Sequence, residues 1–334
     1  MSITITGGIS FGGGVGITAA PPSQPTAGWY GGGFNATSNI STVQRITFAT
    51  DTATASVRGS LSYTVFKEAA TGTLTDGYFG GGAGGPYRGT TKVTYATDTA
   101  ISTNKGDLSQ VRWGLTATTD GTTYGWFGGG YSYPPPSTRE QSTVDRITYA
   151  NDTATATVRG PLATSRIYLA ATGNTTDGWY GGGQSPGQSP GGTGQLSTVN
   201  RITYATDTAT ATAKGPLSLA RHGSASVTDG STYGWFGGGY TGPGGGTVST
   251  VDRITYATDT ATATLRGPLA QTVSRLAGSG DSTNGYFGGG YSLSPYGSTS
   301  NVQRITYATD TATASLRGTL SVAAWYLAAS SGVQ

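Results

Sequence analysis

The sequence contains no cysteine, and it contains only one methionine and one histidine in 334 residues. Without cysteine there is no disulfide framework, no thiolate metal site and no cysteine nucleophile. With His222 as the sole imidazole, a metal site built from several histidines is excluded as well. We therefore expect a fold that rests on packing and hydrogen bonding, with no metal and no cofactor.

Large aliphatic residues and net charge are also scarce. Leu, Ile, Val and Phe supply only 52 residues, but the formal net charge of +3 is too small to hold the chain open by self-repulsion. No run of 18 apolar residues occurs, so no membrane-spanning helix is expected. Residues 1–20 lack the positive region and apolar core of a signal peptide, and none is predicted. The basic residues are spread at intervals and do not cluster as a nucleic-acid interface requires.

Glycine, threonine and aromatic residues take the place of the aliphatic ones. The chain has 57 Gly, 60 Thr and 34 aromatic residues, of which 20 are Tyr. Threonine is β-branched and suits a pleated sheet, and tyrosine combines a large apolar face with a polar tip. This composition favours an all-β protein with thin packing.

Two short motifs recur along the chain and divide it into six units. In the first motif an aromatic residue precedes three glycines, at intervals of 48 to 56 residues. In the second motif an aspartate lies in a Thr/Asn-Asp-Thr-Ala turn at matching intervals. These intervals define six repeats of about 51 residues. The aromatic residues are Tyr30, Phe79, Phe127, Tyr180, Phe236 and Phe287, and the aspartates are Asp51, Asp98, Asp152, Asp207, Asp259 and Asp310.

Each unit has the pattern of four short β-strands. In the fourth unit these are residues 166–172, 179–183, 199–205 and 209–214, and no segment has the 3.6-residue apolar period of a helix. Four antiparallel strands at this interval predict a propeller blade, so we expect one six-bladed β-propeller over residues 26–334. Residues 1–25 are predicted to form an N-terminal arm and a Pro-rich linker. Because the first unit starts at its second strand, the C-terminal segment 323–329 is predicted to complete the first blade.

The repeat resembles the kelch repeat. The shared features are small residues in the first strand, the aromatic-Gly-Gly-Gly motif, a Val-x-Arg-Ile-Thr-Tyr strand, the aspartate turn and a Pro-Leu exit. The resemblance covers residues 28–329 and implies a kelch-like propeller. The chain departs from the kelch pattern where Ala or Thr replaces an outer-strand Trp, which implies lighter packing between blades.

The near-identical units, of which residues 249–269 are an example, are also similar to Gly/Thr-rich virion structural proteins of marine tailed phages, cyanophages in particular. That resemblance implies a place in the phage particle, as a tail-fibre or surface protein, with other virion proteins as partners.

Catalytic chemistry has little support in the sequence. A nucleophilic triad needs a base oriented by a carboxylate, and His222 has no counterpart in the other units, so we interpret it as an incidental propeller residue. The six turn aspartates occur once per blade, too far apart for the carboxylate pair of a glycoside hydrolase, and we expect them to cap their own turns. A carbohydrate-active enzyme is the most remote of the alternatives.

Recurrent arginines form two groups. Those in the third strand and at the end of the fourth strand are expected to stack across strands or to pair with an acidic neighbour such as Asp145 or Asp252. Arg112, Arg166 and Arg221 occupy equivalent first-strand positions and are predicted at the mouth of the central channel, where an anion site is the functional alternative. Three of the six units lack this arginine.

The most informative functional signal is a difference between the two faces. Strand order places the loops between strands two and three on one face, together with the connections between blades. These loops vary in length and are rich in Tyr, Ser, Gly and Pro, as recognition loops are; the alternative is drift of solvated loops. The candidate binding residues there are Tyr87, Arg88, Tyr131, Tyr133, Arg139, Tyr240, Tyr291 and Tyr296.

Together these observations predict a non-enzymatic virion structural protein that presents a tyrosine-rich loop face to a host-surface glycan or protein. Attachment to the particle is expected through the N-terminal arm or the more uniform face. The alternative is a purely structural or capsid-decoration propeller without receptor activity. Neither interpretation includes a nucleic acid or membrane insertion, and a homo-oligomer is left open.

Overall fold

The computed structural model describes residues 24–85, 88–132, 139–185 and 194–332. Residues 1–23 of the predicted N-terminal arm lie outside these ranges. Within them every element is a β-strand or a single turn of 3-10 helix, so the fold is all-β. No helix in the described ranges is long and apolar enough to cross a membrane.

Six four-stranded antiparallel sheets, numbered in chain order and given from first to fourth strand, contain most of the strands. Sheet 1 consists of Ala328–Ser330, Ala27–Gly31, Ile40–Thr47 and Ser56–Val65; sheet 2 of Ala69–Gly72, Asp76–Gly80, Gly89–Thr94 and Thr103–Asp107; sheet 3 of Thr116–Thr119, Tyr124–Gly128, Val144–Thr148 and Thr157–Arg159. Sheet 4 consists of Ala170–Gly173, Asp177–Gly181, Val199–Thr203 and Thr212–Lys214; sheet 5 of Ala225–Thr228, Tyr233–Gly237, Val251–Thr255 and Thr264–Leu265; sheet 6 of Ala277–Gly280, Asn284–Gly288, Asn301–Thr306 and Ser315–Thr319.

The first strand of sheet 1 comes from the C-terminal end of the chain. Ala328–Ser330 pairs antiparallel with Ala27–Gly31, and Tyr30 lies opposite Ala329. The predicted pairing of the C-terminal segment with the first unit is therefore present. It removes an open strand edge that would otherwise be free to pair with another chain.

Single 3-10 turns follow the third strands, at the positions of the aspartate motif. In the fourth unit the sequence predicts a strand to residue 205, but the strand ends at Thr203 and Tyr204–Thr206 forms the turn. The turn directs the Tyr204 ring toward the neighbouring sheet. The other turns are Phe48–Thr50, Tyr95–Thr97, Tyr149–Asn151, Tyr256–Thr258 and Tyr307–Thr309.

Two further sets of short strands lie beside sheets 3 and 6. Beside sheet 3, Arg112–Trp113 precedes the first strand and pairs with Tyr131–Ser132 of the loop after the second strand, which also pairs with Arg139–Glu140. In sheet 6, Tyr291–Leu293 and Tyr296–Ser298 form a hairpin.

Consecutive sheets pack through an aromatic ring that lies on a glycine. The aromatic residue of each aromatic-Gly-Gly-Gly motif lies against the first glycine of that motif in the preceding sheet. A Cβ on Gly31 of sheet 1 would lie 2.8 Å from the Phe79 ring of sheet 2, so only glycine leaves room for the ring. The same contact joins sheet 6 to sheet 1, because Tyr30 covers Gly288.

A second aromatic contact joins the same neighbours further from the centre. Trp126 of sheet 3 stacks on Tyr204 of sheet 4 with ring centroids 3.8 Å apart. Sheet 6 again meets sheet 1, through a stack of Tyr286 on Phe48 at 4.6 Å. The six sheets therefore follow one another in a propeller-like arrangement in which the last packs against the first.

Candidate functional site

The candidate site lies on the face that carries the loops between second and third strands and the segments that enter each first strand. We call this the loop face. Each entering segment pairs with the residue that follows the aromatic-Gly-Gly-Gly motif of its own sheet, as Trp113 pairs with Tyr131 and His222 with Tyr240. This pairing holds loop aromatic residues against the entering segments.

At the centre of the loop face, six residues form a ring of backbone hydrogen bonds. The N–H of each donates to the carbonyl oxygen of the equivalent residue in the preceding sheet, at 2.6–2.9 Å, and sheet 1 follows sheet 6 in this order. All six have φ between 53° and 66°, a region that favours glycine, yet four of them carry large side chains. Such backbone strain is often kept where a site needs it. We call this set the axial ring: Lys67, Gly114, Tyr168, Gly223, Arg275 and Tyr326.

A cavity of about 100 Å³ lies behind the axial ring, between the first strands of all six sheets. Its walls are mostly Ala, Gly, Ser, Thr and Leu. The axial ring lines one end of it. The loop face therefore gives access to the centre of the molecule through these six residues.

Two tyrosines of the axial ring stack on each other. Tyr168 and Tyr326 belong to sheets 4 and 1, which are opposite in the order of the six, and their ring centroids lie 5.0 Å apart at an interplanar angle of 25°. The pair thus spans the axis. Gly114 and Gly223 have no side chain there, which leaves room for the pair.

Two cations of the axial ring lie against this aromatic pair. The Lys67 Nζ is 5.1 Å from the centroid of the Tyr326 ring, and the Arg275 guanidinium carbon is 5.0 Å from it. Lys67 also lies 4.3 Å from the Trp113 ring centroid, and Arg275 lies 5.0 Å from that of Trp325. These distances fit cation–π attraction.

Most of the other basic residues form ion pairs, whereas Lys67 and Arg275 form none with the described residues. Of the 19 Lys and Arg residues, 15 form ion pairs within the described ranges. The four that form none with the described residues are Lys67, Arg139, Arg166 and Arg275. Burial, and secondarily the charge of Arg275, lowers the pKa of Lys67 to about 8.

The predicted binding tyrosines have different environments. Tyr131 is half-buried on Trp113, Tyr240 is half-buried on His222, and Tyr291 is buried on Trp325. Tyr296 is 80% exposed at the tip of the sheet 6 hairpin. The structure brings these tyrosines to one face, and their role in binding stays a prediction.

Of the four remaining predicted loop residues, the structure describes two, Arg88 and Arg139. Arg88 is exposed and pairs with Asp107 at 2.7 Å. Arg139 is exposed in the short strand Arg139–Glu140. Tyr87 and Tyr133 lie outside the described residues.

The prediction that Arg112, Arg166 and Arg221 surround the channel mouth is wrong. Their side chains are fully buried, and none of the three lines the central cavity. Arg112 donates to the carbonyl oxygens of Gly129 and Thr143 and pairs with Asp145 at 2.8 Å.

Arg166 and Arg221 are held in the same way. Arg166 donates to the carbonyl oxygens of Gly182 and Thr198 and to Asn200 at 3.0 Å, and Arg221 pairs with Asp252 at 2.8 Å. All three guanidinium groups therefore satisfy buried polar groups inside their own sheets. The residue two positions after each of these arginines, which is Gly114, Tyr168 or Gly223, lies in the axial ring instead.

The six turn aspartates do not act mainly as turn caps, as the sequence suggested. Asp207 of sheet 4 accepts hydrogen bonds from Trp126 Nε1 at 2.9 Å and Arg146 Nη1 at 3.0 Å, and pairs with Arg159, all in sheet 3. The carboxylate thus joins two sheets, and the recurrent strand arginines form ion pairs with the next sheet. Equivalent ion pairs involve Asp51, Asp98, Asp152, Asp259 and Asp310.

The predicted stacking across strands is also present, since Arg146 lies over Tyr124 and Arg253 over Tyr233, each at 4.2 Å. Arg201 also pairs with Asp177 of its own sheet.

His222 is a buried residue of the loop face. It packs between Tyr168 and Tyr240, and burial, with a smaller effect of Arg275, lowers its pKa to about 4. It is therefore neutral at pH 7. The interpretation of His222 as incidental stays a prediction.

The residues at the centre of the site were not predicted from the sequence. Lys67, Tyr168, Arg275 and Tyr326 lie directly before the first strands, at one register position of the repeat. Aligning the six entering segments would have shown that this position is glycine in two units and Lys, Arg or Tyr in the other four. No motif marks it, so only the repeat register could have revealed it.

Comparisons with known proteins bear on the fold alone. No protein-family model matches the chain, and no curated protein matches it in sequence. Among solved structures, the chain is similar to YjhT, with a TM-score of 0.64 and 11% sequence identity, over 80% of this chain and 87% of YjhT. At this identity the likeness indicates a shared fold.

Proposed function

We propose that the chain is a closed, six-bladed, kelch-like β-propeller that serves as a non-enzymatic virion structural protein of a tailed phage, on a tail fibre or another particle surface. In this proposal its loop face recognises a glycan or protein on the host surface. The contacts of sheet 6 with sheet 1 and the backbone ring support closure of the propeller. The sequence resemblance to Gly/Thr-rich phage proteins supports the location.

The binding role is supported mainly by the concentration of aromatic side chains, and of basic side chains without an ion pair, around the axial ring. Trp113, Tyr131, Tyr168, Trp325 and Tyr326 are only half-buried there. Aromatic side chains supply large contact areas at low entropic cost, and Tyr and Trp add a hydrogen bond. A cluster of this kind on rigid strands is typical of a recognition surface.

The opposite face carries the turns between first and second strands, and we call it the turn face. Its turns are stabilised locally: Asp120 Oδ1 accepts hydrogen bonds from the N–H groups of Thr122, Thr123 and Tyr124, at 2.7–3.0 Å. In this proposal the turn face, or the N-terminal arm, faces the particle.

Host binding tests the receptor role directly. The variant carrying Tyr131→Ser, Tyr240→Ser and Tyr296→Ser alters the loop face. The matched control carries Thr75→Ala, Thr122→Ala and Ser231→Ala, three exposed positions on turns of the turn face. Labelled protein is titrated onto host cells, and thermal melts establish that both variants are folded.

We expect the control to bind like the wild type and the loop-face variant to bind about tenfold more weakly or worse, because a few aromatic residues usually carry most of the binding energy. Equal binding by all three proteins would refute the receptor role and favour the purely structural or capsid-decoration alternative. Immunogold labelling of intact particles tests the virion location separately.

A further inference from the structure

Two of the four basic residues that form no ion pair with the described residues lie in the axial ring. Lys67 and Arg275 come from sheets 2 and 6, yet both lie about 5 Å from the Tyr326 ring centroid. Neither has an acidic partner among the described residues, and the buried Nε of Arg275 has no hydrogen-bond partner there. Two cations held this close without a counter-ion repel each other, so an anion between them would be stabilised.

From this arrangement we infer that the axial ring and the aromatic residues around it bind the anionic substituent of a sugar chain, that is, a carboxylate or sulfate group on a polysaccharide. The inference rests on the proposed function, and it specifies the ligand chemistry of the same face. The Arg275 guanidinium can donate two hydrogen bonds to a carboxylate or sulfate, and the Lys67 ammonium supplies a second positive charge.

The aromatic side chains favour a sugar as the carrier of that anion. Half-buried rings of Trp113, Tyr131 and Trp325 lie around the two cations, and flat rings of this kind pack on the apolar face of a pyranose. A nucleic acid is a poorer fit, because its phosphates repeat along the strand and need cations that follow the backbone. Here both cations lie against one aromatic ring, that of Tyr326.

The charges elsewhere strengthen the preference for an anion at the loop face. Asp120, Asp229 and Asp281 occupy turns of the turn face, and none forms an ion pair with the described residues. The two faces therefore differ in sign, and a polyanion is attracted to the axial ring and repelled from the turn face. Within the ring region the acidic Glu68 is buried, and burial raises its pKa.

The test uses matched pairs of oligosaccharides that differ only in charge. The probes are an oligogalacturonate and its methyl ester, and a sulfated carrageenan oligosaccharide and its desulfated form, with single-stranded DNA as a polyanion of another class. Binding to the full chain is measured by titration calorimetry at pH 7 and low salt. The two charged probes distinguish a carboxylate ligand from a sulfate ligand.

The variants are Lys67→Gln, Arg275→Gln and Lys67→Arg. Ile101→Glu is the control, because it lowers the net charge by the same single unit at a 70% exposed position away from the axial ring. If a Gln variant fails to fold, Lys67→Gly and Arg275→Gly replace it, because Gly114 and Gly223 already occupy this backbone conformation in sheets 3 and 5.

We expect a charged oligosaccharide to bind about tenfold or more tightly than its neutral form, because a charge-assisted contact is worth at least that factor. Lys67→Gln and Arg275→Gln should remove this preference, Lys67→Arg should keep it, and Ile101→Glu should leave it unchanged.

Equal binding of charged and neutral sugars, a preference for DNA, or no binding of any probe would overturn the inference. A neutral sugar that binds through the loop face would refute the anion site and leave the receptor role intact. Unchanged host binding by the loop-face tyrosine variant would instead refute the receptor role.

Discussion

Glu68 places a carboxyl group at a register position that is leucine in four other sheets. The equivalent residues are Leu115, Leu169, Leu276 and Leu327. Glu68 is 6% exposed, and neither carboxylate oxygen has a side-chain hydrogen-bond partner in the described structure. Burial raises its pKa well above the ordinary value, and the backbone N–H groups of Glu68 and Ala328 oppose this rise only in part. A buried carboxyl group without a side-chain partner costs free energy, so this residue weakens the fold.

We predict that Glu68→Leu stabilises the protein by about 1–3 kcal/mol near pH 8, the usual cost of an unpaired buried polar group. Because the folded-state pKa is raised, the protonated carboxyl is tolerated below the unfolded pKa of about 4.3, and stability is lost as pH rises through the folded value. The gain in melting temperature should therefore be smaller at pH 4.5 than at pH 8.

Ser224→Ala is the matched control for this experiment. Ser224 occupies the same register position in sheet 5, is buried, and has no hydrogen-bond partner for its hydroxyl in the described structure. Because a hydroxyl does not titrate in this range, its effect should not change with pH. A Glu68→Leu effect equally independent of pH would contradict the burial argument.

The lowered pKa of Lys67 predicts that ligand affinity depends on pH. Its pKa of about 8 means that it loses its charge between pH 7 and pH 9. Arg275, Tyr168 and Tyr326 face it, and burial raises the pKa of both tyrosines. We expect the affinity for a charged oligosaccharide to fall over this interval in the Glu68→Leu background, as measured by calorimetry.

Lys67→Arg in the same background provides the comparison, because arginine does not titrate below pH 12. Its affinity should stay level from pH 7 to pH 9. If both proteins lose affinity in parallel, Lys67 is not the titrating group that holds the anion.

At the scale of the structural element, the 3-10 turn after each third strand ties its sheet to the preceding one. Its aspartate accepts an indole hydrogen bond in four sheets and a tyrosine hydroxyl at Asp152, where Tyr78 donates at 3.0 Å. The strand arginines add ion pairs on the same carboxylates. Since each carboxylate is mostly buried, losing a donor leaves it incompletely satisfied.

Substitution of Trp126 tests how much its hydrogen bond to Asp207 contributes to joining sheets 3 and 4. We predict that Trp126→Phe destabilises the protein by about 1–2 kcal/mol more than Trp126→Tyr, because only tyrosine can donate to Asp207 as Tyr78 does to Asp152. Chemical denaturation of both variants measures the difference. Equal stabilities would show that the indole hydrogen bond contributes nothing and that ring packing alone matters.

The sequence predicted the strands of each unit but not the partners of these charged groups. Repeat spacing gives the position of Asp207 within its own sheet, whereas its partner Trp126 lies 81 residues earlier, in another sheet. Pairing across sheets depends on their relative placement, which no local pattern encodes. Arg112 was misplaced for a different reason, because its ion pair with Asp145 draws it into its own sheet and away from the channel.

At the scale of the whole molecule, sheets 6 and 1 are joined by contacts of the same kinds as those between the other neighbouring sheets. Arg304 pairs with Asp51 at 2.7 Å, and the N–H of Tyr326 donates to the carbonyl of Arg275 at 2.8 Å. A chain with only 52 Leu, Ile, Val and Phe residues can fold because each small core is shared by two sheets. Composition predicted the thin packing, and repeat counting predicted the six units.

We predict that a chain ending at residue 323 loses its cooperative unfolding transition. The truncation removes Ala328–Ser330 from sheet 1 and Tyr326 from the axial ring, and it exposes the edge of Ala27–Gly31. A chain ending at Gly332 keeps both and serves as the control. If the shorter chain melts at the same temperature as the control, the C-terminal strand does not hold the first and last sheets together.

Hydrogen–deuterium exchange of the wild-type chain, with and without purified host-surface polysaccharide, shows directly which face the ligand covers. We predict slower exchange in loop-face segments, such as residues 241–247 and 293–298, and no change in the turns at residues 120–123 and 229–232. Protection confined to the turn face, or to the outer strands, would contradict this prediction.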